Sequence, residues 1–314
     1  MSVTVLSADD LRPGDVGRAL RERGGLLLHP SIDGDLCAKA VKAAHDFFRL
    51  PASVKAATSI ERSPHFRGWS EMHNERDWRE QIHFGRERGC GDGPPFMRLE
   101  GPNQWPPDAS WRAVITAYLD RVAAVGERLL GCAAADLGLP ADSFAGVGQD
   151  GYVLLKLIGY HPQPSVEAQR PGVAAHVDFS WLTLTLQDAP GLEIQEPNGD
   201  WIEIDVVPGS LWVHPGELLQ VASGGAYTAT PHRVINRSFD RTRVSLPLFL
   251  NPPLSGWVRS LVPGATANVS REAAHIHRVL DPRVPVEPFH FGEAEWRRKG
   301  LNGWCHVCAP PRAT

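Results

Sequence analysis

Hydrophobic and polar positions divide the chain into stretches of different period. Near the start, Leu26-Leu27-Leu28, led by Gly24-Gly25 and closed by His29-Pro30, predicts a short buried strand. Leu36, Ala40, Val41, Ala44, Phe47 and Phe48 then recur at helical spacing, with Asp33 or Asp35 available as a cap and Leu50-Pro51 as the stop. From Ser59 to about Gln104 the chain turns polar and aromatic, which predicts short strands and loops. A second helix follows Pro106-Pro107-Asp108, where Trp111, Val114, Ile115, Tyr118, Leu119, Val122, Val125, Leu129 and Leu130 form one apolar stripe expected to end near Gly131.

Beyond a linker containing Gly146, Gly148 and Gly151 the period falls to that of strands. The predicted strands are Tyr152–Tyr160, Trp181–Gln187, Leu192–Gln195, Trp201–Asp205, Ser210–His214, Leu218–Val221, His232–Asn236 and Arg243–Leu250. Asn198-Gly199, Pro208-Gly209, Pro215-Gly216 and Gly224-Gly225 mark turns between them. Short strands separated by such turns predict a mainly β protein with flanking helices, its core a double-sheet barrel. The chain is accordingly divided into an N-terminal mixed α/β region (1–105) packing on the barrel, a long helix and linker (106–150), the barrel core (151–254) and a C-terminal helical segment (255–314) covering the barrel mouth.

Composition narrows the field of partners. With 32 Lys+Arg against 36 Asp+Glu the formal charge is −4, so no basic surface for nucleic acid is expected. Met1 to Asp10 lacks the basic and apolar segments of an export signal, and no apolar stretch is long enough to cross a bilayer, so a cytoplasmic protein without a membrane partner is expected. Five scattered cysteines do not form the dense even framework of small secreted domains, which points to free thiols. Cys305-His306-Val307-Cys308 offers close thiols, yet no second close pair completes a four-ligand zinc site. Glu71, Glu75, Arg76, Asp77, Arg79 and Glu80 read as a solvated mixed-charge face.

Candidate chemistry sits among the strands. His176-Val177-Asp178 places imidazole and carboxylate two residues apart, on one face of an extended strand, where both reach one metal. Of the later histidines, His232 opens a strand and is a better third ligand than His214, which sits beside a Pro-Gly turn. Two imidazoles and one carboxylate leave coordination positions open, the arrangement of non-heme ferrous oxygenases, whereas structural zinc prefers a closed shell. Further on, Arg243-Val244-Ser245 projects guanidinium and hydroxyl from one strand face, a fork suited to gripping a carboxylate.

These motifs occur in a particular order with others. Gly25-Leu26-Leu27-Leu28 and Phe47-Phe48-Arg49-Leu50-Pro51 precede Tyr160-His161-Pro162 and His176-x-Asp178; Gly191-Leu192-Glu193-Ile194, Pro208-Gly209-Ser210 and Gly216-Glu217-Leu218-Leu219 follow, then His232-Arg233-Val234 and Arg243-x-Ser245. In this the chain resembles the iron(II)- and 2-oxoglutarate-dependent oxygenases of the isopenicillin N synthase-like family. The resemblance implies a double-stranded β-helix (jelly-roll) core, Fe(II) held by His176, Asp178 and His232, and 2-oxoglutarate held at its distal carboxylate by Arg243 and Ser245. It implies that O2 and 2-oxoglutarate are consumed, with succinate and CO2 released, as a small molecule is hydroxylated, desaturated or cyclised. The carboxylate at Asp178 disfavours halogenation, since halogenases of this chemistry carry a small residue there.

Two departures from the family pattern carry expectations of their own. Gly159-Tyr160-His161-Pro162 stands where many members have Asn-Tyr-Tyr-Pro, so His161 is expected to donate to the co-substrate; Ser180 replaces a common glycine. By position in the family, Arg67, Trp69, Gln81, His83, Phe179, Trp181, Phe249 and Trp304 are candidates to line the substrate pocket. Arg67 or His83 would suit a substrate carboxylate, as in an amino-acid-derived or natural-product intermediate. Two alternatives stand beside this reading: an iron oxidase of the same group that needs no 2-oxoglutarate, and a catalytically silent jelly-roll that binds metal or a small ligand.

Overall fold

The computed structural model describes residues 3–90, 93–144, 150–165, 170–265 and 287–301. Gly146 and Gly148 of the expected linker, Trp304 and the Cys305-His306-Val307-Cys308 motif lie outside the described residues. In chain order, β1 (Val5–Leu6) precedes α1 (Pro13–Arg23) and β2 (Leu26–Leu28), and α2 (Gly34–Phe48) and α3 (Ala52–Ala56) lead to the hairpin of β3 (Gly68–His73) and β4 (Trp78–Phe84). After α4 (Ala109–Asp136) come β5 (Val153–Tyr160), β6 (Val173–His176), β7 (Leu182–Gln187), β8 (Leu192–Gln195), β9 (Trp201–Glu203) and β10 (Leu211–Pro215). Then follow α5 (Glu217–Ala222), β11 (His232–Val234), β12 (Arg243–Leu250), β13 (Trp257–Val258), β14 (Phe289–His290) and α6 (Phe291–Arg298).

The helices start where the chain supplies caps. The Asp33 carboxylate accepts from the Asp35 N–H before α2, and Asp108 accepts from the N–H groups of Ser110 and Trp111 before α4, satisfying donors that no helical carbonyl can reach. α4 runs past Gly131 to Asp136, so the expected stop was a glycine tolerated inside the helix. α1, not foreseen, has the signals of a helix: proline in its first turn and left-handed Gly24 (φ 67°) at its end.

Two sheets form the jelly-roll. The larger has the order β1-β2-β10-β7-β12-β5-β4-β3 and the smaller β6-β11-β8-β9. Strands from the first 105 residues therefore continue the large sheet at both edges rather than forming a layer of their own. The period of two divides the large sheet into a helix side and a barrel side. Leu155, Leu157, Leu184, Leu246 and Leu248 are fully buried in the core shared with α2 and α4, where the Tyr118 hydroxyl donates to Leu246 O at 3.4 Å. Each such leucine stabilises the fold by roughly 2 kcal/mol relative to exposure. Their neighbours Lys156, Ile158, Thr183, Thr185, Ser245 and Pro247 line a cavity between the sheets.

One predicted strand is a helix. Leu218–Val221 lies in α5, whose six residues are all buried; a run this short has no period of its own, and tertiary contacts decide its form. The N–H groups of Glu217 and Leu218 donate to Asp178 O (2.8 Å) and Ser180 O (3.1 Å), which ties the start of α5 to the turn after β6. Among the described residues no helix is long and apolar enough to cross a membrane.

Candidate active site

His176 ends β6 and His232 begins β11, and the two are direct partners across the antiparallel ladder, with ring centroids 4.2 Å apart. Each imidazole turns Nδ1 to a carbonyl two residues earlier, His176 to Ala174 O at 2.9 Å and His232 to Thr230 O at 3.0 Å. A carbonyl only accepts, so Nδ1 carries the proton and both Nε2 lone pairs are left for a ligand. Asp178 completes the group: Oδ1 is 3.6 Å from His176 Nε2 and Oδ2 is 3.7 Å from His232 Nε2. The ligand atoms of His176, Asp178 and His232 all lie within 4.8 Å of one another.

The route by which the carboxylate arrives differs from the expected one. β6 stops at His176, so Asp178 does not share its strand face; the turn that follows, pinned by α5, brings the side chain round. Asp178 Oδ2 accepts from the Thr183 hydroxyl at 2.6 Å and from His214 Nε2 at 3.0 Å, and the Ser180 hydroxyl lies 3.1 Å from that of Thr183. His214, the alternative third ligand in the sequence, thus orients the carboxylate instead. Alternation along β10, which puts His214 on the same side as Trp212, is the signal that would have placed it there.

Burial pushes the Asp178 carboxyl up, but the surrounding imidazoles, with His214 hydrogen-bonded to it, outweigh burial and hold the group well below the carboxylate range. Burial, reinforced by His176, pushes His232 down to about 3. At neutral pH the cluster therefore presents a carboxylate and a neutral His232 ring. Two imidazole nitrogens and one carboxylate oxygen, converging from one side, fit ferrous iron with positions left over.

Arg243, 1% exposed, is fixed on the barrel side of β12. Its Nε donates to Ala189 O (3.1 Å) and Pro190 O (2.9 Å), its Nη2 to Gln187 Oε1 (2.7 Å), and the guanidinium lies 5.0 Å from the Tyr160 ring. The two carbonyls come from the turn completed by Gly191, whose φ of 125° only glycine adopts readily. Nη1 is buried with no partner among the described residues, and burial lowers the guanidinium pKa from its usual value. A guanidinium nitrogen without a partner, on the strand face that Arg243 shares with the cavity-facing Ser245, fits an incoming carboxylate.

His161 does not serve this site. It points to the helix side, with Nε2 2.6 Å from Glu80 Oε1 and Nδ1 3.4 Å from the Thr242 hydroxyl, and Tyr160 takes the cavity-facing place on β5. Gly159 has a packing reason: an added Cβ would approach the Phe48 ring to 2.8 Å.

The cavity has a volume of about 600 Å³. Of the substrate candidates, Gln81, His83, Phe179 and Phe249 line it. Arg67, Trp69 and Trp181 do not. Arg67 is buried against Tyr152, its Nη1 bonded to His65 O (3.2 Å) and to the Tyr152 hydroxyl (3.3 Å); Trp69 donates to Glu80 Oε2 (2.7 Å); Trp181 packs on Phe144 in the core. Cavity residues not foreseen include Lys156 on β5, Asn251 just beyond β12, and Glu295, Arg298 and Lys299 of α6 and its C-terminal cap. Lys156 was legible from the alternation that places Tyr160 in the cavity; α6 is brought there by tertiary packing alone.

Residues 149–252 match the 2OG-Fe(II) oxygenase superfamily, and residues 14–108 match the family described as non-haem dioxygenase in morphine synthesis N-terminal. The 2-oxoglutarate-Fe(II) type oxidoreductase hxnY of Emericella nidulans is 31% identical over 238 residues, covering 70% of this chain and 68% of that protein. A homoarginine-6-hydroxylase of Arabidopsis thaliana is 31% identical over 248 residues, covering 75% and 68%. Among solved structures, a 2OG-Fe(II) oxygenase family protein from Caulobacter crescentus superposes with a TM-score of 0.75 at 23% identity, covering 95% of this chain and 98% of that one.

Proposed function

Because the chain belongs to the 2OG-Fe(II) oxygenase superfamily, we propose that His176, Asp178 and His232 hold its iron, that Arg243 and Ser245 hold the distal carboxylate of 2-oxoglutarate, and that a small organic molecule is oxidised in the adjoining cavity. The observation that carries this reading is the convergence of the three ligand atoms, together with an Arg243 Nη1 that is buried without a partner among the described residues. The homoarginine hydroxylase among its relatives supports an amino-acid-derived substrate, with a natural-product intermediate of similar size as the other member of the class.

When bound, ferrous iron and 2-oxoglutarate supply an oxidation driven by O2 and by the loss of CO2 from the keto acid. The protein's part is placement. Carbonyls of Ala174 and Thr230 keep the two imidazoles in the ligand tautomer, and Thr183 and His214 hold the plane of the Asp178 carboxylate. Gln187 and the Ala189 and Pro190 carbonyls leave Arg243 one free edge, so the co-substrate enters in one orientation. Ile158, Leu192 and Val234 form an apolar wall that keeps water from the same space. In this reading the described residues of 1–105 support the barrel, those of 106–150 brace it, those of 151–254 carry the chemistry and those of 255–301 cover the mouth. The cytoplasm is the compartment we assign, in keeping with the free thiols Cys37, Cys90 and Cys132.

Anaerobic titration of the ferrous protein with 2-oxoglutarate tests the proposal. The wild type is expected to develop the visible absorption of an iron-chelated keto acid, and His176→Ala to lose it. Absence of the band in the wild type would overturn the use of 2-oxoglutarate, and is what both the oxidase and the silent jelly-roll predict.

A further inference from the structure

The cavity carries more positive charge than the proposed centre requires. One carboxylate (Asp178), a divalent metal, the dianion 2-oxoglutarate and Arg243 sum to neutrality. Beyond them, Arg79 has Asp77 at 3.2 Å, and Arg298 and Lys299 share Glu295 at 2.7 and 2.9 Å. Arg76, also on the cavity wall, is exposed and has no ion pair among the described residues; Lys156 is the unpaired cation set into the sheet itself. It lies mid-strand on β5 facing the cavity, with no hydrogen bond and no carboxylate partner among the described residues, and its ammonium meets only the face of Phe249 at 4.9 Å.

Lys156 is half-buried, and among the described residues the partial loss of water around its ammonium is met only by the Phe249 face and the more distant charge of Asp178. Burial and repulsion from Arg79, Lys299 and Arg298 push Lys156 down to about 7. Neighbouring polar groups are similarly incomplete. Both ring nitrogens of His83, Gln81 Oε1 and Asn251 Oδ1 are buried without partners among the described residues. These residues share the cavity wall with Phe179 and Phe249, which offer apolar surface. One ammonium among neutral imidazole and amide groups, beside aromatic rings, suits a singly charged anion with an apolar body.

We propose that Lys156 anchors a carboxylate of the substrate, so that the molecule oxidised is an organic acid whose charged end is held on β5. This rests on the function proposed above and specifies its substrate class. Arg67, the arginine the sequence offered for that task, is enclosed elsewhere.

The test uses the ferrous protein, anaerobic and saturated with 2-oxoglutarate, with benzoate as probe and benzamide and phenyl phosphate as comparisons, followed calorimetrically. Benzoate is expected to bind at least about tenfold more tightly than benzamide, the value of a charge-assisted contact. Lys156→Met should lose about tenfold or more of the benzoate affinity while keeping the keto-acid absorption, and Lys156→Arg should restore it to within a few-fold. Equal affinity for acid and amide, undiminished benzoate binding in Lys156→Met, tighter binding of phenyl phosphate, or no benzoate binding up to about 10 mM would each overturn the assignment. A missing absorption band in the wild type would instead strike the proposed function, while the benzoate comparison still decides the role of Lys156.

Discussion

His214 meets Asp178 at 3.0 Å, on the same carboxylate oxygen that accepts the Thr183 hydroxyl at 2.6 Å. One oxygen of the aspartate is thereby committed to protein donors and the other stays on the side of His176. His214→Ala is expected to weaken iron binding about 10- to 100-fold, the usual cost of removing such a supporting contact. Competition with a chromophoric chelator measures it; unchanged affinity would show that Thr183 alone orients the carboxylate.

Arg243→Lys keeps a positive charge and loses the fork. Lysine cannot reach Gln187 and the Ala189 and Pro190 carbonyls while presenting a further N–H, so the KM for 2-oxoglutarate should rise about tenfold to a hundredfold. Ser245→Ala should raise it by less. Succinate release at varied co-substrate concentration gives both values.

Glu80 is fully buried and accepts from Lys55 (2.7 and 2.9 Å), Trp69 (2.7 Å) and His161 (2.6 Å). Burial pushes its carboxyl up, but His161, Lys55 and Trp69 together hold it below its ordinary value. Glu80→Gln leaves the Lys55 ammonium uncompensated and should destabilise the fold by about 3–5 kcal/mol. Adding Lys55→Met should recover part of that loss. Urea denaturation of the single and double variants distinguishes a coupled pair from two independent sites.

Glu295 supplies a pH dependence. Burial raises its carboxyl, yet Arg298 and Lys299 bring it from the usual 4.5 down to about 2. A depressed folded-state pKa means that the stability it contributes is complete above the unfolded value of 4.5 and is lost as pH falls toward 2. The full contribution is about 3 kcal/mol. Glu295→Gln should therefore lower stability by that order at neutral pH and match the wild type near pH 2. A difference independent of pH would refute the linkage.

His161→Ala should leave the KM for 2-oxoglutarate within about twofold of the wild type, because its ring faces Glu80 and not the cavity. Titration of the ferrous variant with 2-oxoglutarate checks this. The case also shows where sequence reasoning stopped. A position before a proline was read by family habit, whereas strand parity decides direction: Lys156, Ile158 and Tyr160 face inward, so His161 faces out. The same parity puts Arg243 and Ser245 on one face of β12, the face on which Ser245 meets the cavity.

The three clustered residues were legible because histidine and aspartate two apart, followed by a histidine opening a later strand, form a pattern of spacing that survives without coordinates. What escaped was set by packing. Asp178 reaches its place through a turn clamped by α5, and α5 itself was read as a strand because Leu218–Val221 is buried on every side. Alternation along β5 gives the direction of Lys156 but not its lack of a partner. Its isolation from any carboxylate exists only once Asp77 and Glu295 are seen to be taken by other cations.

The two-sided character of β5, β7 and β12 bears on how such a protein changes over time. Leucines on one side answer to the helices, while lysine, threonine, serine and phenylalanine on the other answer to whatever enters the barrel. Selection can therefore rewrite the inward positions to suit a new small molecule without disturbing the packing that keeps the strands in register. An insertion of one residue within β12 would do the reverse, turning Val244 and Leu246 inward and sending Arg243 and Ser245 toward the helices.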